Sequence, residues 1–301
     1  MKKLTQTSYY DYVPIVDRKP MELPGGARIA VIPYVNVEHF PEHLRGTALV
    51  PGTANLVPDV LNYGWRDYGN RVGLWRIMEI TDAHCMRGTV CLNADAIIEY
   101  PRIIEEGEKR KWAWMGHGMN NSPASFLSNI DEEQERKLVG EVLSTMEKAL
   151  GRKTKGWIGP FLSETPNTPN ILADMGVEYL CDFTCDDQPF KFNTRTGSLI
   201  GMPYSLELND VPAFLDLGQS ASTFGDMIVD QFDVLYAEGE TNPRFMPIVV
   251  HSFLAGQPFR AKHLKRAFDY IAGHDKIWFT TGDEINAWYR KEYLGSNGGA
   301  R

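Results

Sequence analysis

Short apolar runs alternate with longer stretches patterned at helical spacing along most of the chain. RIAVIPYV (28–35) reads as a buried strand, RVGLWRIMEITDAH (71–84) as a helix with Leu74, Trp75 and Met78 on one face, and RGTVCLN (87–93) as the next strand. KWAWM (111–115) is a further short strand ending at Gly116. DEEQERKLVGEVLSTMEKAL then places Leu138, Val142, Leu143, Met146 and Leu150 on one helical stripe, behind an acidic first turn that suits the helix dipole and ahead of Gly151 as a stop signal. Strand KGWIG (155–159), helix TPNILADMG (168–176), strand VEYLC (177–181), a helix near 221–238, strand FMPIVVH (245–251), helix RAKHLKRAFDYIAGH (260–274), strand KIWFT (276–280) and helix GDEINAWYR (282–290) complete the series.

This alternation predicts an α/β fold with a parallel sheet covered by helices, and about seven strands suit a (β/α) barrel. The expected organisation is an N-terminal extension (1–24) with Tyr9, Tyr10 and Tyr12, one catalytic barrel (25–292) and a flexible C-terminal tail (293–301). No repeat or low-complexity tract divides the chain, and EEGEKRK (105–111) reads as a solvated helix end.

Charge narrows the partners. With 31 basic and 39 acidic side chains the net charge is −8, which offers no footprint for nucleic acid or an anionic membrane, so a small molecule is expected as ligand. The N-terminus lacks the apolar core of a signal peptide and no run is long enough to span a bilayer. Four cysteines, at 85, 91, 181 and 185, have no zinc-type spacing; reduced thiols in a cytoplasmic protein are the expectation.

In such barrels the chemistry gathers where strands end, because the βα loops open on one face. Strand one runs into Asn36, Glu38 and His39; KWAWM into His117, Asn120 and Asn121; GWIG into Ser163 and Glu164; and FMPIVV ends on His251. Four elements distant in sequence thus deliver polar groups to one rim.

At these residues the sequence resembles the polysaccharide deacetylase family, whose members have a distorted (β/α) barrel, a DD motif after strand one, an HxxxH motif and a late histidine. GHGMNNS supplies the first histidine of HxxxH, with Asn121 in place of the second; VVHS supplies His251; and YVNVEH has Glu38 as the carboxylate nearest to the DD position. The segments NYGWRDYGNRVGLWR, DFTCDDQPF, MPYSLELND and HSFLAGQPFR resemble those of the allantoinase-like and cyclic-imide-hydrolase-like branch, in the same order. That resemblance implies a hydrolase opening a ring C–N bond of a small cyclic amide, ureide or imide, metal-independent members, and a homo-oligomer.

Glu38, His117 and His251 are the expected catalytic residues, Glu38 and His251 dividing base and acid work while His117 positions water or donates to the oxyanion. No cofactor is expected; the alternative is a zinc or manganese ion on Glu38, His117 and Asn121, where an amide oxygen is a weaker ligand than imidazole. Arg66, Trp65, Tyr68, Asn121, Phe161, Glu164, Asn209 and Asp210 are the candidate substrate-binding residues. Arg66 suits a bidentate contact with paired carbonyls or a carboxylate, or else it is an exposed partner of Asp67. Asn209 and Asp210 either accept ring N–H groups or build the turn before Pro212. Two other functions stay open: a metal-dependent carbohydrate N-deacetylase, and a non-catalytic binding protein on the same barrel.

Overall fold

In a computed structural model, which describes residues 9–295, one sheet runs through the molecule. Among the described residues its strands are β1 (Ile29–Val37), β2 (Thr89–Leu92), β3 (Ala113–Gly116), β4 (Gly156–Trp157), β5 (Tyr179–Leu180), β6 (Phe190–Lys191), β7 (Ile200–Gly201), β8 (Arg244–His251) and β9 (Ile277–Phe279). The helices are α1 (Val60–Tyr68), α2 (Leu74–Asp82), α3 (Ala94–Glu99), α4 (Pro101–Lys109), α5 (Glu132–Leu150), α6 (Thr168–Asp174), α7 (Ala221–Glu238), α8 (Pro258–Ala272) and α9 (Gly282–Tyr289).

The seven strands expected from apolar runs are β1 to β5, β8 and β9. The sheet adds the two-residue β6 and β7, and β6 runs antiparallel to β7 while every other pairing is parallel. Its order is β6-β7-β5-β4-β3-β2-β1-β8, with β9 on β1. The sheet curls into a half-barrel. Between β7 and β8 the wall is irregular chain, where Val249 N–H donates to Leu208 O at 2.9 Å and Phe245 N–H to Asp187 O at 3.0 Å. β9 wedges against the first residues of β1 while β2 pairs with the last ones, which splits one side of β1 and distorts the barrel.

Strand periodicity explains which side chains reach the mouth. Along β1, Ala30, Ile32 and Tyr34 join the inner cluster, whereas Ile29, Val31, Val35 and Val37 face the helices. The same period of two turns Asn36 inward and, continued one residue past the strand end, Glu38 as well. The same parity carries Met115 to His117 on β3, and Phe245 through Val249 to His251 on β8. Because Asn36 pairs in register with both Cys91 and His251, these strand ends lie level.

The helix layer holds a feature that sequence periodicity hides. α1 and α2 form one helix joined by a π turn, Gly69–Gly73, and α1 buries Asn62 and Arg66 while leaving Val60 71% and Leu61 49% exposed. Gly69 and Gly73 lie against Ser252 and Phe253, leaving no room for a Cβ at either position. This glycine face seats the helix on the loop that follows His251.

Of the expected N-terminal extension, residues 1–8 lie outside the described residues. Tyr9 and Tyr10 pack on Phe183 with ring centroids 5.3 and 5.9 Å apart, and Arg18 reaches Asp186 at 2.7 Å. Of the expected tail, residues 296–301 lie outside the described residues, and Leu294 is buried at the end of a π turn that continues α9. No helix among the described residues is long and apolar enough to cross a membrane.

Candidate active site

Glu38 lies directly after β1, with 5% of its surface exposed. Its Oε1 is 3.4 Å from Nε2 of His117 and 3.6 Å from Nε2 of His251, and its buried Oε2 has no hydrogen-bond partner. A carboxylate from β1 is thereby flanked by imidazoles from β3 and β8.

Each imidazole is fixed through its other nitrogen. Nδ1 of His117 is 2.8 Å from Ile158 O, and since a carbonyl only accepts, Nδ1 carries the proton. That contact leaves Nε2 as the nitrogen that faces Glu38. Nδ1–H of His251 donates to Asp210 Oδ1 at 2.7 Å, and the same carboxylate accepts from the backbone N–H of His251 and of Ala255. Burial disfavours a charge on His251, but the Glu38 and Asp210 carboxylates together outweigh it and raise its pKa above the ordinary imidazole value. Asn93 ties the two loops together: its Oδ1 accepts from His39 N–H at 2.9 Å and its Nδ2 donates to His117 O.

The other candidate residues separate into groups. Arg66 shares an open pocket with Glu38, Phe40, Tyr63, Asp67, Asn70 and Tyr100. Its guanidinium lies 4.8 Å over the Phe40 ring and donates to Thr47 O at 2.6 Å, leaving a buried Nε without a partner. Asp67 pairs with Arg71 at 3.5 Å, while Arg66 is 3% exposed. Burial lowers the Arg66 pKa, against the pull of Asp59 and Glu38. Asn121 is buried on the β3 loop, its N–H bonded to His39 O and its Oδ1 without a partner.

Trp65 packs edge-on to Phe253 at 4.9 Å, beside the His251 loop. Tyr68 accepts from Arg76 at 3.1 Å. Phe161, 57% exposed, packs tilted against Phe126 with ring centroids 4.8 Å apart. Asn209 Oδ1 accepts from Val211 N–H at 3.0 Å in the turn before Pro212. Glu164 is buried and interacts with Asp182.

Asp182 was not among the residues expected at the site. Its signal in the sequence is position, because it follows strand VEYLC directly, as the other rim residues follow theirs.

A divalent ion needs several donors converging on one point. Among the described residues no group of three His, Cys, Asp or Glu side chains is arranged to hold one, and Asn121 offers only an amide oxygen. With an amide in place of an imidazole at Asn121, the donor set is a poor fit to a transition-metal centre.

Comparison with known proteins accords with this architecture. A family model described as polysaccharide deacetylase matches residues 65–180. A Schizosaccharomyces pombe protein assigned as a polysaccharide deacetylase is 25% identical over 306 residues, covering 92% of this chain and 94% of its own. A Pseudomonas aeruginosa PAO1 protein assigned as a polysaccharide deacetylase superposes with a TM-score of 0.84 at 26% identity, over 93% of this chain and 97% of its own. PuuE allantoinase superposes with a TM-score of 0.83 at 27% identity, over 94% of this chain and 99% of its own. Residues 65–180 thus match the polysaccharide deacetylase family model, and the whole chain shares the fold of the Pseudomonas aeruginosa protein and of PuuE allantoinase.

Proposed function

We propose that the protein is a hydrolase that opens a C–N bond of a small cyclic amide, ureide or imide. The observation that carries this reading is the flanking of Glu38 by two imidazoles, each tied at Nδ1 and each presenting Nε2 at the same barrel mouth. Similarity to PuuE allantoinase over nearly the full length of both chains supports the ring substrate.

Amide hydrolysis needs a water made nucleophilic, stabilisation of the developing oxyanion, and a proton for the departing nitrogen. Glu38 takes a proton from the attacking water, and His117, with its proton committed to Ile158 O, accepts from that water at Nε2 and aims it. His251, charged more readily than an ordinary histidine, delivers its Nε2 proton to the ring nitrogen as the C–N bond breaks. The products are a carboxylate and the freed nitrogen of the opened ring.

Arg66 binds the acceptor edge of the substrate. Its unpartnered Nε and the pocket it shares with Glu38 fit the carbonyls of an imide or ureide, whereas a carboxylate there would meet the Glu38 and Asp67 charges. The substrate is thus a neutral ring, the protein acts without a cofactor, and it works in the cytoplasm as a homo-oligomer.

The second reading is a carbohydrate N-deacetylase, favoured by the family model and the assigned names of two relatives. A panel of allantoin, hydantoins, succinimide-type imides and acetylated amino sugars separates the two. Turnover of a ring amide, with the opened product seen by mass spectrometry, is the expected result; release of acetate from sugars alone overturns the proposal. Tight binding of a ring with no turnover under any metal condition makes the barrel a binding module.

A further inference from the structure

Behind His117 the chain builds a support that the reaction above does not use. His117 Nδ1–H donates to the carbonyl of Ile158 at 2.8 Å, and the N–H of that same peptide unit, on Gly159, donates to both oxygens of Asp182 at 2.8 and 3.0 Å. One peptide group is therefore held between an imidazole and a carboxylate. A negative charge on its N–H side draws electron density toward its carbonyl oxygen and makes that oxygen a better acceptor for His117.

The backbone is shaped for this contact. Cys181 N–H bonds to Trp157 O at 3.0 Å, which fixes β5 beside β4 and brings Asp182 level with Gly159. A Cβ at Gly159 would meet Ser163 O at 2.5 Å, so only glycine fits the turn. Phe161 and Leu162 both adopt positive φ, 55° each, and this costly turn returns the chain so that Glu164 faces Asp182.

Glu164 completes the support. Both of its oxygens are buried and meet no nitrogen or hydroxyl donor, and the charged groups acting on it are carboxylates alone, Asp182 and Glu135. Glu135 already accepts hydrogen bonds from Thr165 and Thr168. Two facing carboxyls without a cation share a proton rather than both ionise. Burial first, then Asp182, pushes the Glu164 carboxyl up to about 11, so the shared proton rests there; burial raises Asp182 too, but the bonds from Glu164 and Gly159 limit that rise to about 7, and Asp182 is the one of the pair that ionises first.

We propose that Asp182, with Glu164 beside it, forms a positioning pair that acts through the Ile158–Gly159 peptide to hold His117 in its Nδ1–H form with Nε2 bare. The proposal rests on the reading of His117 as the group that aims water, and its first test needs no substrate. Nitrogen-15 NMR of the His117 ring in the folded, ligand-free protein reports the tautomer directly. Wild type shows one form, protonated at Nδ1; Asp182→Asn keeps an oxygen for the Gly159 N–H but loses the charge, and gives mixed tautomers.

On a ring substrate Asp182→Asn lowers kcat by at least about tenfold with KM within about threefold, as a mispositioned group does. Glu164→Gln, whose amide still donates to Asp182, behaves as wild type, whereas Glu164→Leu follows Asp182→Asn. A wild-type ring spectrum in both Asp182→Asn and Glu164→Leu overturns the proposal, as does Glu164→Gln failing alongside Glu164→Leu. If the spectra change as expected but wild type turns over no ring amide, the reaction assignment fails and the positioning pair stands.

Discussion

The carboxylate of Asp210 accepts two hydrogen bonds from one residue, taking the Nδ1–H of His251 at 2.7 Å and its backbone N–H at 2.9 Å. The imidazole is thus fixed in orientation and tautomer by a residue 41 positions earlier. A group held this way keeps Nε2 directed at Glu38 and stabilises the imidazolium that a general acid requires.

Asp210→Asn therefore lowers kcat/KM by about 10²- to 10⁴-fold. The pH profile gives the mechanism. The acid form of His251 acts below its folded-state pKa, which Glu38 and Asp210 raise against burial, so loss of the Asp210 charge moves the alkaline limb to lower pH. The same shift makes stability depend on pH: this contribution is full below the ordinary imidazole value of about 6.5 and is lost as pH rises through the raised value. An alkaline limb that stays in place would show that Asp210 does not tune the acid.

Arg66→Met separates binding from stability. A buried guanidinium with an unpartnered Nε costs folding free energy, and removing it relieves that cost. Tm is expected to hold or rise, while KM for a ring substrate rises at least about tenfold with kcat within about threefold. A fall in Tm with unchanged KM would make Arg66 a packing residue of α1.

Glu164 should make the protein less stable as pH rises. Its folded-state pKa is raised by burial and by Asp182, so the folded protein holds a proton that the unfolded chain releases. The stabilisation is full below the ordinary glutamate value of about 4.3 and declines above it, through neutral pH. Glu164→Gln removes this decline and raises Tm at pH 9 by about 2 °C or more. Parallel Tm curves for the two proteins between pH 5 and pH 9, two conditions about 4 units apart in that window, would contradict the assignment.

The sequence revealed most where each residue served its own element. The longer strands read directly from their apolar runs, and the inward parity of Glu38 and His251 follows from the alternation that precedes them. α1 escaped because its buried face carries Asn62 and Arg66 while Val60 and Leu61 face solvent, the reverse of an amphipathic core helix. β6 and β7 hold two residues each and show no period. α3 and α4 meet at Tyr100–Pro101, where proline divides a helical stretch of which only the charged, solvated end is recognisable in the sequence. The bond from Asp210 to His251 and that from Asp182 to Gly159 are products of sheet register, and no local pattern encodes them.

Gly73 tests the link between helix and site. Its Cβ position is filled by the backbone of Ser252, next to His251, so Gly73→Ala must move either the π turn or the loop. Overpacking of this kind costs about 1–3 kcal/mol, and a displaced His251 costs about 10²-fold in kcat although Gly73 touches no substrate. Denaturant melts and steady-state kinetics check both; full activity at reduced stability would detach the helix from the site.

On the proposed mechanism Glu38, His117 and His251 hydrolyse a ring amide with no metal among them. The direct measurement is turnover of the best ring substrate by protein stripped with chelator and verified metal-free by elemental analysis, before and after adding zinc or manganese. Undiminished turnover in the stripped protein, abolished by Glu38→Gln, is the predicted result. Activity lost on stripping and restored only by the metal would contradict it, and would make Asn121 a substituted ligand.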